Sequence, residues 1–450
     1  MVAGGGRGTG GVIGGMRGGR PARWAAIRRL VPFGLSYAAS SGSLVAASAA
    51  QLLTFGLLAR ALGPAQFGLF VQVTALTTVA AQVCGLGASD CLIRRVAQDP
   101  RAYPAMLGHA LLLIAGTGAG LVALGLAVLP AWIPVVPDPA ADPAANLAAT
   151  GLLLVTNIVL VRAILLAETV FIAHSRFADA NRAVVAYALA RTATACLACL
   201  AFGVTTLAGW AAWQFAGNLA VAFAYAAWLR GLGRPRLALV RDEIRLGLLF
   251  CSQFVARAVR GNADLFVLGL VAPIEVVGSY GVARRILDSS YLPIDALNRL
   301  VYPRFARASL GGVHAALASA RSVVPAALAL GGATAAGLFL LAPWLPWVFG
   351  RDYASLVLFV RVLSGTVVLV AAWSVAMDVL GASRHQGARA WIVNTANLAG
   401  SVLVAGATWA WPPMGTLGAL YAIEVGTGIA AWLVLFRLAR RSRAAAVAAA

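Results

Sequence analysis

Twelve apolar runs, each about twenty residues or longer, constrain this chain more than any other feature. A helix needs about 20 apolar residues to cross a bilayer core. Runs of that kind fall near 34–59, 67–90, 106–130, 147–170, 183–203 and 207–229. A second set falls near 246–270, 277–303, 322–343, 354–380, 388–410 and 415–437. With 61% apolar and 11% charged residues, the chain carries less than half the usual charge of a soluble protein. The expected fold is an all-α polytopic membrane protein. It has about twelve transmembrane helices in two six-helix lobes around a central cavity.

The net charge of +20 suggests nucleic acid until the basic residues are located. All 35 are Arg, and they punctuate the apolar runs instead of forming a patch. One side of the predicted topology receives 25 of them, from Arg7 to Arg443, including Arg94, Arg95, Arg234, Arg241 and Arg440. The other side receives Arg60 and Arg351 only. Short cytoplasmic loops are enriched in Arg and Lys, so the Arg-rich side is cytoplasmic and both termini lie there. The expected location is the inner, cytoplasmic membrane. The first run begins after residue 31 and is too long for a signal-peptide core.

The expected organisation has five parts. Residues 1–31 form a disordered or interfacial segment, and 32–230 the first lobe. A cytoplasmic linker covers 231–245, the second lobe 246–438, and a tail 439–450. Gly4-Gly5-Gly6-Arg7-Gly8 superficially resembles a phosphate loop but has no strand before it and no helix after it. Cys196 and Cys199 make a lone CxxC inside one apolar run, where they are expected to be inert. The four His lack ligand spacing, so no metal site is expected. No cofactor is expected either, and any coupling ion stays unassigned.

Eight Arg remain inside the runs: Arg162, Arg191, Arg257, Arg260, Arg284, Arg285, Arg299 and Arg361. Each costs roughly 2.5–3.5 kcal/mol at a helix centre, which makes such residues functional candidates by default. At about 100° per residue, Gln253, Arg257, Arg260 and Asp264 share one face of the seventh helix. Arg284, Asp288, Tyr291, Asp295 and Arg299 share one face of the eighth. Two readings coexist. Arg260–Asp264, Arg284–Asp288 and Asp295–Arg299 are spaced for structural ion pairs within a helix. The surplus, Arg257 and Arg285, suits a charged, water-filled cavity that all four central Arg share. Tyr37, Ser40, Ser48 and Gln51 form a milder stripe on the first helix, and Glu424 lies well inside the twelfth. The candidate binding set is Arg162, Arg191, Arg257, Arg260, Asp264, Arg284, Arg285, Asp288 and Arg361. Asp264, Asp288 and Glu424 are candidates for ion coupling.

The stretch Leu57-Leu58-Ala59-Arg60-Ala61-Leu62-Gly63-Pro64-Ala65-Gln66-Phe67-Gly68-Leu69-Phe70 resembles the opening of the polysaccharide-biosynthesis flippases. So do Asp264-Leu265-Phe266-Val267-Leu268-Gly269, Val277 to Arg285, and Tyr302-Pro303-Arg304-Phe305 in the second half. The likeness extends over roughly 32–438 and includes the six-plus-six division. Pro64–Gly68 and Pro273–Gly278 also resemble each other, with one residue inserted, which suggests a duplicated lobe.

The resemblance implies alternating access for a lipid-linked oligosaccharide, not an enzyme. Membrane lipids, and the polymerase and glycosyltransferases of polysaccharide assembly, are the implied partners, with no role for nucleic acid. Guanidinium matches phosphate geometry, so an Arg-lined cavity suits the anionic diphosphate. The alternatives are a multidrug or peptidoglycan-precursor exporter of the same superfamily, and a non-transporting scaffold. A cationic-drug cavity favours acidic and aromatic residues, and a membrane transferase needs clustered catalytic carboxylates or a long exterior loop.

Overall fold

The computed structural model describes residues 20–129 and 143–448, with side chains over 47–129 and 144–443. The expected disorder of 1–19, and most of the Pro/Asp-rich loop 130–146, lie outside the described residues. Every regular element among those described is helical.

Among the described residues, eight helices are long and apolar enough to cross a membrane. The first of these, Ala47–Gln98, makes two passes because Gly63 breaks it with φ 69. Its parts are α1 (Arg20–Val83) and, after a Gly85-Leu86-Gly87 turn, α2 (Ala88–Gln98). The next passes are α3 (Tyr103–Val128), then α4 (Pro143–Leu154) running through a π segment into α5 (Val161–Ala173). They are followed by α6 (Phe177–Cys196) and α7 (Leu207–Leu229). The second set starts with α8 (Arg241–Val271), then α9 (Ile274–Ser290) and α10 (Leu292–Ala308). A short α11 (Val313–Arg321) precedes α12 (Val324–Leu341) and α13 (Leu345–Phe349). The last three are α14 (Leu356–Ala382), α15 (Gln386–Ala410) and α16 (Met414–Ala448).

Three predicted passes, α7, α8 and α9–α10, fall short of membrane-helix hydropathy. The reason differs. The first carries Gln214 and Asn218, both buried and hydrogen-bonded. The other two carry the central Arg and Asp residues. Lipid offers polar groups no partner, so helices of this kind cross a membrane only beside protein or a wet cavity.

Helices α1 to α7 pack among themselves, as do α8 to α16, and α1 also packs along α8 and α9. The backbones meet most closely where side chains are missing. A Cβ on Gly68 would lie 2.1 Å from the Ile274 carbonyl oxygen, and one on Gly278 would lie 2.2 Å from that of Pro64. This crossing is reciprocal: Gly68 follows Pro64 by four residues, and Gly278 follows Ile274 by four. The two turns therefore superpose Pro64 on Ile274, without the inserted residue that the sequence suggests. Small residues at such crossings replace the missing hydrophobic drive with close van der Waals packing.

The same Arg-poor end is closed by Tyr353, which is buried and donates to the Ala59 carbonyl over 2.6 Å. Burial raises its phenol pKa well above the ordinary value, so it stays a donor. At the Arg-rich end Gly87 and Gly247 make a second crossing. Beside it, Arg94 of α2 grips Glu243 of α8 through one nitrogen, 2.9 and 2.7 Å from the two carboxylate oxygens. The 230–240 linker is tied down as well: Arg236 N–H donates to the Pro104 carbonyl and Val240 N–H to His109 Nδ1.

Candidate functional site

Arg284 and Arg285 are neighbours on α9, and consecutive residues on a helix point about 100° apart. They therefore face different halves of the molecule. Arg284 turns into the second half, toward Asp264. Arg285 turns to the first, where it donates to Gln51 Oε1 over 2.6 Å and lies 5.9 Å from the Phe55 ring centroid.

The second-half group lines a cavity of about 270 Å³. Arg257 and Arg260 of α8, Arg284 of α9, Trp373 of α14, Asn397 of α15 and Glu424 of α16 all contribute to it. Asp264 does not line the cavity; it is 2% exposed and lies against Arg284, which does. Its Oδ2 accepts from Tyr280 Oη at 2.6 Å, and its Oδ1 accepts from the Leu265 N–H. Arg284 Nε sits 3.3 Å from the same Oδ2, close enough for an ion pair. The Nε–H nevertheless has no hydrogen-bond partner among the described residues. Tyr280 has taken the best acceptor position, so Arg284 is held by charge but keeps a donor unspent. Its Nη1 also lies 3.3 Å from Asp288.

The expected Arg260–Asp264 pair is not made. Arg260 instead lies 3.8 Å from Glu424, across to α16, and Glu424 also accepts from Trp373 Nε1 at 2.8 Å. The physical reason is competition: α9 packs against α8 and delivers Tyr280 and Arg284 to Asp264, leaving Arg260 free to cross to another helix. Asp295–Arg299 is not an ion pair either: both lie on α10 with the expected spacing, but both side chains are exposed, where such a pair gains little. Only Arg284–Asp288 is made as expected.

The expectation of one space shared by four Arg is corrected. Arg257, Arg260 and Arg284 share the second-half cavity, whereas Arg285 belongs to another group. That first-half group surrounds a cavity of about 230 Å³ lined by Gln51, Glu168, Tyr187, Arg191 and Tyr225, among others. Arg191 stacks over Tyr187, 5.7 Å from its ring centroid. Gln51 both lines this cavity and accepts from Arg285, which ties Arg285 to the first half. Arg162 lies apart, within electrostatic reach of Cys84, Asp90 and Cys251 at the seam between halves. Arg361 lies elsewhere: it is exposed on α14, 4.9 Å from the Phe339 ring centroid.

Tyr280, Trp373 and Asn397 are site residues that sequence periodicity missed. Their signal is only that they are polar atoms on apolar helices, and each needs a partner from another helix.

Residues 36–309 match the sequence pattern of the polysaccharide biosynthesis protein family. The chain belongs to that family. No curated protein matches it by sequence. Solved structures share the fold of this family member. A multidrug resistance MATE transporter of the MOP superfamily in an inward-facing conformation superposes at TM-score 0.67 and 17% identity. The match covers 88% of this chain and 95% of that one. The lipid II flippase MurJ, inward closed, superposes at TM-score 0.68 and 10% identity, covering 90% of both chains. A MOP superfamily transporter from Pyrococcus furiosus, described as having a binding pocket of reversed polarity, gives 0.51 at 18% identity. That match covers 90% of this chain and 96% of the other. This member of the polysaccharide biosynthesis family is thus a polytopic, all-α membrane protein with the MOP transporter fold.

Proposed function

We propose that the protein is a flippase that carries a lipid-linked oligosaccharide, joined through a diphosphate, across the cytoplasmic membrane. One observation carries this reading. The second-half cavity presents three guanidinium groups against one lining carboxylate, and Arg284 keeps an Nε–H donor free of hydrogen bonds. A cluster of guanidinium groups in excess over carboxylates suits a diphosphate, whose oxygens accept paired N–H groups in the plane of the guanidinium. They repel the cationic substrates of a drug exporter.

An arriving diphosphate would compete with Asp264, Asp288 and Glu424 for the Arg side chains. Asp264 keeps its Tyr280 hydrogen bond throughout, so it has a partner after Arg284 swings away. The carboxylates released in this exchange, with Asp288 and Glu424 foremost, are the candidate points for coupling to an ion. Arg285, Gln51 and Arg191 would then meet the head group from the first half as the lobes rock. No bond is made or broken in the substrate, and no cofactor enters. Both termini lie in the cytoplasm, and the polymerase and glycosyltransferases of surface-polysaccharide assembly are the partners.

The test uses protein reconstituted in vesicles with a fluorescent polyprenyl-diphosphate oligosaccharide. Arg260→Lys replaces a planar fork with a point charge and is expected to slow flipping at least tenfold, about 1.4 kcal/mol on the barrier. The paired change Arg260→Leu with Glu424→Gln strands no charge, so it is expected to fold yet remain slow. Wild-type flipping by that double variant would return Arg260 to a structural role.

A further inference from the structure

The cationic cavity has a thin wall on one side. Antiparallel α15 and α16 leave a crevice of about 250 Å³ between Trp391–Leu403 and Ile423–Ala430. No charged residue lines it. The crevice exists because Gly400 and Gly426 have no side chain and Ala396, Ala399 and Ala430 have one carbon each. Ala396, Ile423 and Thr427 line both this crevice and the cationic cavity, so the two spaces are separated by a single layer of side chains. Arg260 reaches that partition. A Cβ on Gly400 would sit 2.9 Å from Arg260 Nε, so only glycine lets the guanidinium lie there.

An apolar slot beside a guanidinium fits a molecule with a hydrocarbon chain joined directly to an anion. Bulk phospholipid is a poor match. Its phosphate stays at the membrane surface, whereas Arg260 lies nineteen residues into α8, roughly 28 Å along the helix axis. A transported diphosphate lipid draws its anion to that depth. Building on the flippase reading, we propose that the α15–α16 crevice holds the polyprenyl tail of the transported lipid, its first units beside Arg260. The crevice straddles the middle of α15 (Gln386–Ala410), so the tail lies at the depth to which Arg260 draws the anion.

The test uses the full chain in vesicles and a polyprenyl-diphosphate oligosaccharide with a diazirine near the start of its tail. Crosslinks are expected on α15 and α16 between 391 and 430. Gly426→Phe fills the crevice, since a Cβ there meets nothing within 4 Å. It is expected to cut both crosslinking and flipping at least tenfold while leaving pyrophosphate binding unchanged. Gly418→Phe, on the same helix and equally free of clashes, controls for added bulk and is expected to behave as wild type.

Three results would overturn the inference. One is crosslinks confined to the larger apolar groove of about 690 Å³ among α1, α9 and α12. The second is equal labelling by a diazirine phosphatidylglycerol, which would make the crevice a structural-lipid slot. The third is wild-type flipping by Gly426→Phe. In each of these cases retained pyrophosphate binding leaves the flippase reading standing. Loss of pyrophosphate binding and of flipping in the unaltered protein sinks both.

Discussion

Arg284 and Asp264 meet at 3.3 Å between α9 and α8, and Tyr280 donates to the same carboxylate oxygen from 2.6 Å. The carboxylate is thus shared between a phenol that bonds it and a guanidinium that only neutralises it. This arrangement separates two roles that a simple ion pair would merge.

Asp264→Asn keeps the shape and the Tyr280 contact but removes the charge facing Arg284. Stranding a buried charge costs on the order of 3 kcal/mol. The single variant is expected to unfold at clearly lower temperature in detergent. Adding Arg284→Gln is expected to restore the melting temperature without restoring flipping. If flipping also returns in the double variant, Arg284 serves the fold alone.

The Arg94–Glu243 contact joins the halves at the Arg-rich end, with side chains 38% and 8% exposed. Two buried thiols, Cys91 and Cys251, lie along this seam. Cys91 Sγ donates to the Glu243 carbonyl, and Cys251 Sγ donates to that of Gln82. They are native reporters of its opening. Glu243→Gln is expected to raise maleimide labelling of these thiols several-fold, read by mass spectrometry. Unchanged labelling would mean that the glycine crossing, not the ion pair, holds this end shut.

Sidedness is open to direct measurement. In a background free of native cysteines, a cysteine at Ala140 or Pro412 is expected to react with an impermeant maleimide from outside. A cysteine at Gly233 or Gln386 is expected to react only after permeabilisation. Labelling of Gly233 in intact cells would reverse the orientation.

The sequence by itself determined the all-α membrane class and the existence of a central set of charges. Those features are local. A span needs only a run of apolar residues, and an Arg within one is conspicuous wherever its side chain points. Periodicity also placed Arg257 and Arg260 correctly on one face, and the structure brings both to the same cavity.

Partners, in contrast, were decided by tertiary structure alone. Asp264 sits one turn from Arg260, and spacing along a helix favours that pair. Packing of α9 instead supplies Tyr280 and Arg284, and α16 supplies Glu424 to Arg260. A buried charge takes the best-placed donor in three dimensions, and helix periodicity describes only its own helix. The same limit hid the division between Arg284 and Arg285. Their 100° offset is legible in the sequence, but which half of the protein lies on each side of α9 is settled only by its packing against α1 on one side and α8 and α14 on the other.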